Sequence, residues 1–164
     1  MVYIKTALFA LLVPGTVAGL IPYWIASSFA RKVPAWYVPW SSVGWIPILL
    51  GLIVLTWCAM DFARKGQGTP APIDPPKYLV VRGLYHYVRN PMYVGVLSIL
   101  LGEWLVAPSI PLLLYAIVVG SMFHEFVVLY EEPALRKKFG TAYEDYCRQV
   151  NRWLPRLRHL RKSM

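Results

Sequence analysis

The chain is short of charge. Of its 164 residues, 17 are Lys or Arg and 8 are Asp or Glu, 15% in all, where an ordinary soluble domain carries about 25%. Sulfur and imidazole are scarcer still. The two cysteines, Cys58 in an apolar run and Cys147 in a polar one, form no disulfide framework and no metal-ligand spacing, and the three histidines are dispersed. No G-x-G-x-x-G follows a strand pattern, no phosphate-binding glycine loop is present, and no nucleophile stands beside a base. With no βαβ units to carry it, a soluble Rossmann-type domain is excluded.

What the chain has instead is apolar length. Hydrophobic residues make up 57% of it and fall in runs of about 20, enough to cross ~30 Å of hydrocarbon at ~1.5 Å per residue. The runs predict an all-α polytopic membrane protein, a single membrane domain with about four transmembrane helices, over residues 6–28, 42–63, 92–107 and 112–130. The first run, led by Lys5, imitates a cleavable signal peptide through its small residues Thr16, Ala18 and Gly19. Its hydrophobicity continues through Ile21, Tyr23, Trp24 and Ile25, which predicts a retained helix, bent near Pro14 and Pro22. Trp36, Tyr37 and Trp40 then read as an interfacial belt. In the polar loop 64–91, Pro70, Pro72, Pro75 and Pro76 preclude a helix through the first part.

Pro91 suits the first turn of the third run. Pro108 and Pro111 bracket a tight reversal, so the third and fourth runs form an antiparallel hairpin. After Glu131-Glu132-Pro133 the composition changes, opening a polar tail, 131–164. Leu135, Phe139, Tyr143, Tyr146 and Val150 recur at helical spacing beside Arg136, Lys137, Lys138, Glu144 and Arg148. The pattern predicts a C-terminal amphipathic helix over Ala134–Val150, lying at the membrane surface.

The net charge of +9 is unevenly placed: nine of the basic residues lie between Arg136 and Lys162 and five between Arg64 and Arg89. A basic excess can serve nucleic acid. Beside four apolar spans it reads as the positive-inside signal, which puts the loop, the tail and both termini in the cytoplasm. The lipid bilayer is the expected partner; nucleic acid is not.

Ionisable residues inside apolar spans are costly and point to function. Glu103 lies towards the hairpin end of the third run, where a functional role and a carboxylate snorkelling to the interface or bonded across the hairpin are both open. His124 and Glu125 precede the pair Glu131-Glu132 by one to two helical turns and share faces with it on a straight helix. They are the catalytic candidates. The stretch Arg82-Gly83-Leu84-Tyr85-His86-Tyr87-Val88-Arg89-Asn90-Pro91-Met92-Tyr93-Val94-Gly95 is the richest in binding groups. It carries guanidinium groups for a carboxylate or phosphate, tyrosines for an adenine or a sulfonium cation, and glycines that admit backbone to a ligand. A lipid-headgroup site has the same composition.

Two blocks in this half of the chain resemble a known family. Gly83-x-Tyr85 with Arg89-Asn90-Pro91-x-Tyr93-x-Gly95 resembles the G-x-Y…R-H-P-x-Y-x-G signature of the isoprenylcysteine carboxyl methyltransferases, much of it shared with phospholipid methyltransferases. Glu131-Glu132-x-x-Leu135-x-x-x-Phe139-Gly140-x-x-Tyr143-x-x-Tyr146, followed by Val150-Asn151-Arg152-Trp153-Leu154-Pro155, resembles the second. The resemblance covers about Leu79 to Pro155. It implies a membrane enzyme that holds S-adenosylmethionine between loop, hairpin and tail and takes a lipophilic methyl acceptor from the bilayer. Carried over by motif, Arg82, Gly83, Leu84, Tyr85, Arg89, Asn90, Tyr93, Gly95, Val96, Leu97 and Ser98 line the cofactor. Glu131 takes its amino group, and Glu132 and Arg152 support the lid. An ionised acceptor needs no base; an amine or phenol calls for one, from His124 or Glu125. No metal is implied.

Two positions depart from the pattern. Asn90 stands where the family has His, and its amide still hydrogen-bonds. Val127 stands where the carboxyl methyltransferases carry an Arg one turn before the Glu pair, suited to a prenylcysteine carboxylate. The resemblance thus implies inherited chemistry with a different acceptor. Two further readings stay open at this level: an NADPH-dependent enzyme similar to membrane sterol reductases, and a non-catalytic lipid-binding or assembly subunit. Oligomeric state has no signature in the sequence.

Overall fold

The computed structural model describes residues 12–29, 37, 41–65, 79 and 81–155. Expectations for 6–11, for Trp36 and Trp40, for the proline-rich stretch 66–78 and for the closing tail 156–164 lie outside the described residues. Three helices among these are long and apolar enough to cross a membrane: Leu12–Phe29, Ser42–Asp61 and Ile110–Phe139. A fourth apolar helix, Pro91–Val106, has 16 residues, about 24 Å of rise, less than the hydrocarbon thickness of ~30 Å. No strand forms among the described residues beyond one isolated bridge, Val88 to Asn151. The all-α, polytopic membrane class expected from the sequence is the class observed.

The first helix (α1, Leu12–Phe29) is interrupted by a π-helical turn, Thr16–Leu20, in which Ala18 leaves helical geometry at φ −110°, ψ 18°. Pro22 accounts for the break: it has no N–H for the carbonyl four residues earlier, Ala18, and its ring collides with that carbonyl. The bend falls between the two prolines. Tyr115 then reaches across to donate a 2.8 Å bond to the Val17 carbonyl, which the irregular turn leaves available.

The second helix (α2, Trp45–Lys65) and the third (α3, Pro91–Val106) pack along their length on glycines. Gly51 meets Gly95, and Gly44, in the turn before α2, meets Gly102. A Cβ on Gly44 would lie 2.6 Å from the Gly102 carbonyl oxygen, and one on Gly102 2.5 Å from that of Gly44. The seven-residue spacing, two turns, keeps both pairs on one seam. Lipid chains are as apolar as the helix surfaces, so close backbone approach supplies the attraction that hydrophobicity does not.

Being short and apolar all round, α3 sits inside, touching α1, α2 and α4. Its Val96, Ile99 and Leu100 form the membrane core with Ala18 and Val119. Leu20, Leu49, Ile53, Val118 and Met122 are exposed on the outer helices, as lipid contact requires. Glu103 keeps a buried Oε2 that no described group meets, so the bond across the hairpin is not made there.

Ser109 starts the fourth helix (α4, Ile110–Phe126), its hydroxyl accepting from the Leu112 N–H. The helix runs on through a second π-helical turn, Val127–Glu131, into α5 (Glu132–Phe139). Gly140 ends α5 at φ 54°, ψ −130°, a conformation open to glycine, and α6 (Thr141–Gln149) follows. The amphipathic stretch is therefore two helices, not one. Its apolar stripe has a partner inside the protein: Tyr143, Tyr146 and Val150 are buried, packed with Leu135 and Phe139 against Leu79 and Val81 of the polar loop. The loop offers an apolar partner that the periodicity of the tail alone does not reveal.

Candidate active site

The loop reaches the bundle through a short 3-10 turn, Gly83–His86, preceded by the extended Arg82. Gly83 has φ 58°, and a Cβ there would stand 2.5 Å from Asp61 Oδ2 at the end of α2. The turn is thus seated where only a glycine fits. Tyr146 of α6 donates a 2.7 Å bond to the Tyr85 carbonyl, pinning the turn from the other side. Burial, reinforced by Cys58 and Glu131 nearby, pushes the Tyr85 phenol well above the ordinary tyrosine range, so it stays neutral.

Pro91 starts α3 and puts Tyr93 in its first turn. Across the hairpin, Tyr93 Oη donates to Glu131 Oε2 at 3.0 Å. The Tyr93 ring packs on Phe123 at 4.8 Å and meets Trp153 edge-on at 6.4 Å. No described residue engages the other oxygen of Glu131.

Glu132 is treated quite differently. Arg152 grips it bidentately, Nε to Oε1 at 2.6 Å and Nη2 to Oε2 at 3.0 Å. Arg89 adds a contact of 3.2 Å and Arg136 one of 4.0 Å. The Glu132 side chain is only 6% exposed. A buried carboxylate survives on such terms because its charge is overmatched and its lone pairs are filled. The Glu132 bond in turn holds the Arg152 guanidinium above its usual range, permanently charged.

Residues 151–153 form a strap over this end of the bundle. The Asn151 carbonyl accepts from the Arg89 N–H at 2.9 Å, and Asn90 Nδ2 donates to the Arg152 carbonyl at 3.3 Å. Trp153 Nε1 donates to His124 Nδ1 at 3.2 Å. Asn90, 7% exposed, spends its amide on this latch.

The structure brings Tyr85, Asn90, Tyr93, Glu131, Glu132 and Arg152 together, with Arg89 committed to Glu132 and to Cys147 Sγ. Arg82 is exposed and Leu84 half-buried. Gly95 and Val96 have packing roles, on Gly51 and in the core, while Leu97 faces Gly120 of α4. Ser98 is half-buried. The π-helical turn adds a residue between His124 and Glu131, so the single face that a straight helix would give them is broken. His124 joins the site through Trp153; Glu125 is exposed and makes no ion pair among the described residues. Sequence reasoning passed over Trp153, Phe123 and Asn151. Trp153 occupies a variable position of its motif, and its partners are remote in the chain.

Residues 40–142 match the phospholipid methyltransferase family. The chain belongs to that family. The protein-S-isoprenylcysteine O-methyltransferase of Schizosaccharomyces pombe is 36% identical over 78 residues, 47% of this chain and 33% of that protein. A probable protein-S-isoprenylcysteine O-methyltransferase of Oryza sativa subsp. indica is 25% identical over 122 residues, 73% of this chain and 62% of its own length. The chain thus spans less than two thirds of either relative.

Proposed function

We propose that this protein transfers a methyl group from S-adenosylmethionine to a lipophilic acceptor that reaches the site from the bilayer. The carrying observation is the unequal fate of two adjacent carboxylates. Glu132 is neutralised by guanidinium groups, whereas Glu131 has one phenol and an uncommitted oxygen. An unneutralised carboxylate beside Tyr93, Phe123 and Trp153 suits a ligand with ammonium and sulfonium charges. When bound, S-adenosylmethionine supplies an electrophilic methyl group.

On this reading Glu131 takes the amino group and Tyr93 orients Glu131. Tyr85, Arg82, Gly83, Leu84 and Ser98 extend the lining. The Glu132–Arg152–Arg89 cluster and Asn90 keep the strap closed, so that water is excluded and nucleophile and methyl are aligned. Val127, 1% exposed, fills with apolar bulk a position from which an Arg could hold a carboxylate. This supports an acceptor other than a C-terminal prenylcysteine. The basic loop and tail favour a site at the cytoplasmic face, with both termini on that side.

Calorimetric titration of S-adenosylmethionine and S-adenosylhomocysteine into the detergent-purified protein tests the reading. Micromolar binding, weakened at least about tenfold (about 1.4 kcal/mol) by Glu131→Gln, is expected. Folded, monodisperse protein that binds neither ligand would count against it.

A further inference from the structure

We propose that Trp153 fixes His124 as a hydrogen-bond donor on the acceptor side of the site, where it positions the group to be methylated. The inference rests on the methyltransferase reading and extends it to two residues outside the cofactor's carboxylate anchor.

An indole N–H only donates. Since it points at His124 Nδ1, 3.2 Å away, that nitrogen accepts, and the imidazole is neutral with its proton on Nε2. The lone pair a general base would use is occupied. What His124 offers outward is an N–H that no described residue takes up.

Trp153 is held in place independently of His124. The strap is bonded to Arg89 and Asn90 by backbone carbonyls and to Glu132 by the neighbouring Arg152. The indole edge rests on Tyr93, which itself holds Glu131. One side chain therefore links the anionic end of the site to the imidazole.

The surface around His124 also needs explaining. Ser121 lies one turn earlier on α4 and is exposed, as are His124 and Glu125, on a helix whose other outward residues, Ile110, Leu114, Ile117, Val118 and Met122, are apolar. Polar groups presented outward from a membrane helix are costly unless something polar meets them. A lipophilic molecule with a hydroxyl, carbonyl or amine head fits: its body lies along the apolar flank and its head accepts from His124 Nε2–H. Such an acceptor is held beside the methyl without being deprotonated by His124.

Two measurements together test this. In protein labelled with [15N]histidine, the His124 ring, assigned by its loss in His124→Gln, should show the Nε2–H tautomer and should revert to a mixture in Trp153→Phe. Membranes expressing each variant are then incubated with methyl-labelled S-adenosylmethionine. Transfer into organic-extractable material should fall about tenfold or more in Trp153→Phe and His124→Ala, equivalent to about 1.4 kcal/mol. S-adenosylhomocysteine affinity should stay within about twofold in the His124 variants, and His124→Gln, which keeps an N–H donor, should recover part of the transfer. A mixed tautomer in the wild type, or transfer indifferent to Trp153→Phe, overturns the proposal. So does a His124→Gln variant as inactive as His124→Ala, the mark of a lost base. Failure of the wild type to bind S-adenosylhomocysteine overturns the methyltransferase reading itself.

Discussion

Tyr93 donates its phenol proton to Glu131, 38 residues later, at 3.0 Å, and so ties the first turn of α3 to the far end of the helix that follows it. The bond leaves one Glu131 oxygen for a ligand and sets its direction. Tyr93→Phe removes the bond and keeps a ring against Phe123 and Trp153. A hydrogen bond to a charged group contributes about 1.5–3 kcal/mol, so S-adenosylhomocysteine affinity should fall about tenfold to a hundredfold. Calorimetry decides it, and equal affinities would show that Tyr93 does not orient the anchor.

Removal of Glu132 acts on stability. Glu132→Gln leaves Arg89 and Arg152 partly buried without their counter-charge, a loss of about 3 kcal/mol. At about 2–4 °C per kcal/mol for a chain of this size, the melting temperature in detergent should drop by roughly 6–12 °C. Glu131→Gln, whose amide oxygen still accepts from Tyr93, should melt within about 2 °C of the wild type. Similar losses in both variants would contradict the division of labour between the two carboxylates.

The glycine seam admits no side chain. Gly95→Leu drives atoms into the backbone and side chains of α2, with Leu55 and Val54 already 3.2 Å from a Cβ, and should yield aggregated protein on size-exclusion chromatography. Gly15→Ala, which meets nothing within 4 Å, should elute like the wild type. A monodisperse Gly95→Leu variant would mean that α2 and α3 do not approach as described.

Alkali should weaken the tail's attachment. Burial is the main cause holding the phenols of Tyr85, Tyr143 and Tyr146 above the ordinary range. As pH rises past about 10, the unfolded chain loses these protons first. The folded state then binds more protons, and stability falls with rising pH. Melting temperatures between about pH 8 and 11 should decline less steeply for Tyr146→Phe than for the wild type. Parallel curves would indicate that Tyr146 is not buried as a neutral phenol.

Apolar runs and helix-breaking prolines made the all-α membrane class legible, because span length and backbone sterics are properties of the local chain. The kink in α1 was partly legible in the same way, since Pro22 acts on Ala18 four residues away. Gly95 read as a ligand-facing glycine and is a packing glycine, because its meaning depends on Gly51 of another helix. The stripe from Leu135 to Val150 showed its period but not its partner, Leu79 and Val81. Trp153 was silent for a related reason: a tryptophan's role comes from what it touches, here Tyr93 and His124. Among the site candidates, motif spacing singled out Tyr93, Glu131, Glu132 and Arg152, which the structure joins in two bonded pairs. The second π-helical turn, which separates His124 from the face of Glu131, ends two residues before Pro133 as the first ends two before Pro22, so the proline marks a break there too but not how it turns the face.

The most direct test of the central claim follows the methyl group. Membranes from cells expressing the wild-type protein, incubated with methyl-labelled S-adenosylmethionine, should accumulate label in organic-extractable material. Membranes with an equal amount of folded Glu131→Gln should accumulate about tenfold less or lower still. Label at the level of membranes lacking the protein, from wild-type chain shown to be folded, would contradict methyl transfer to a lipophilic acceptor.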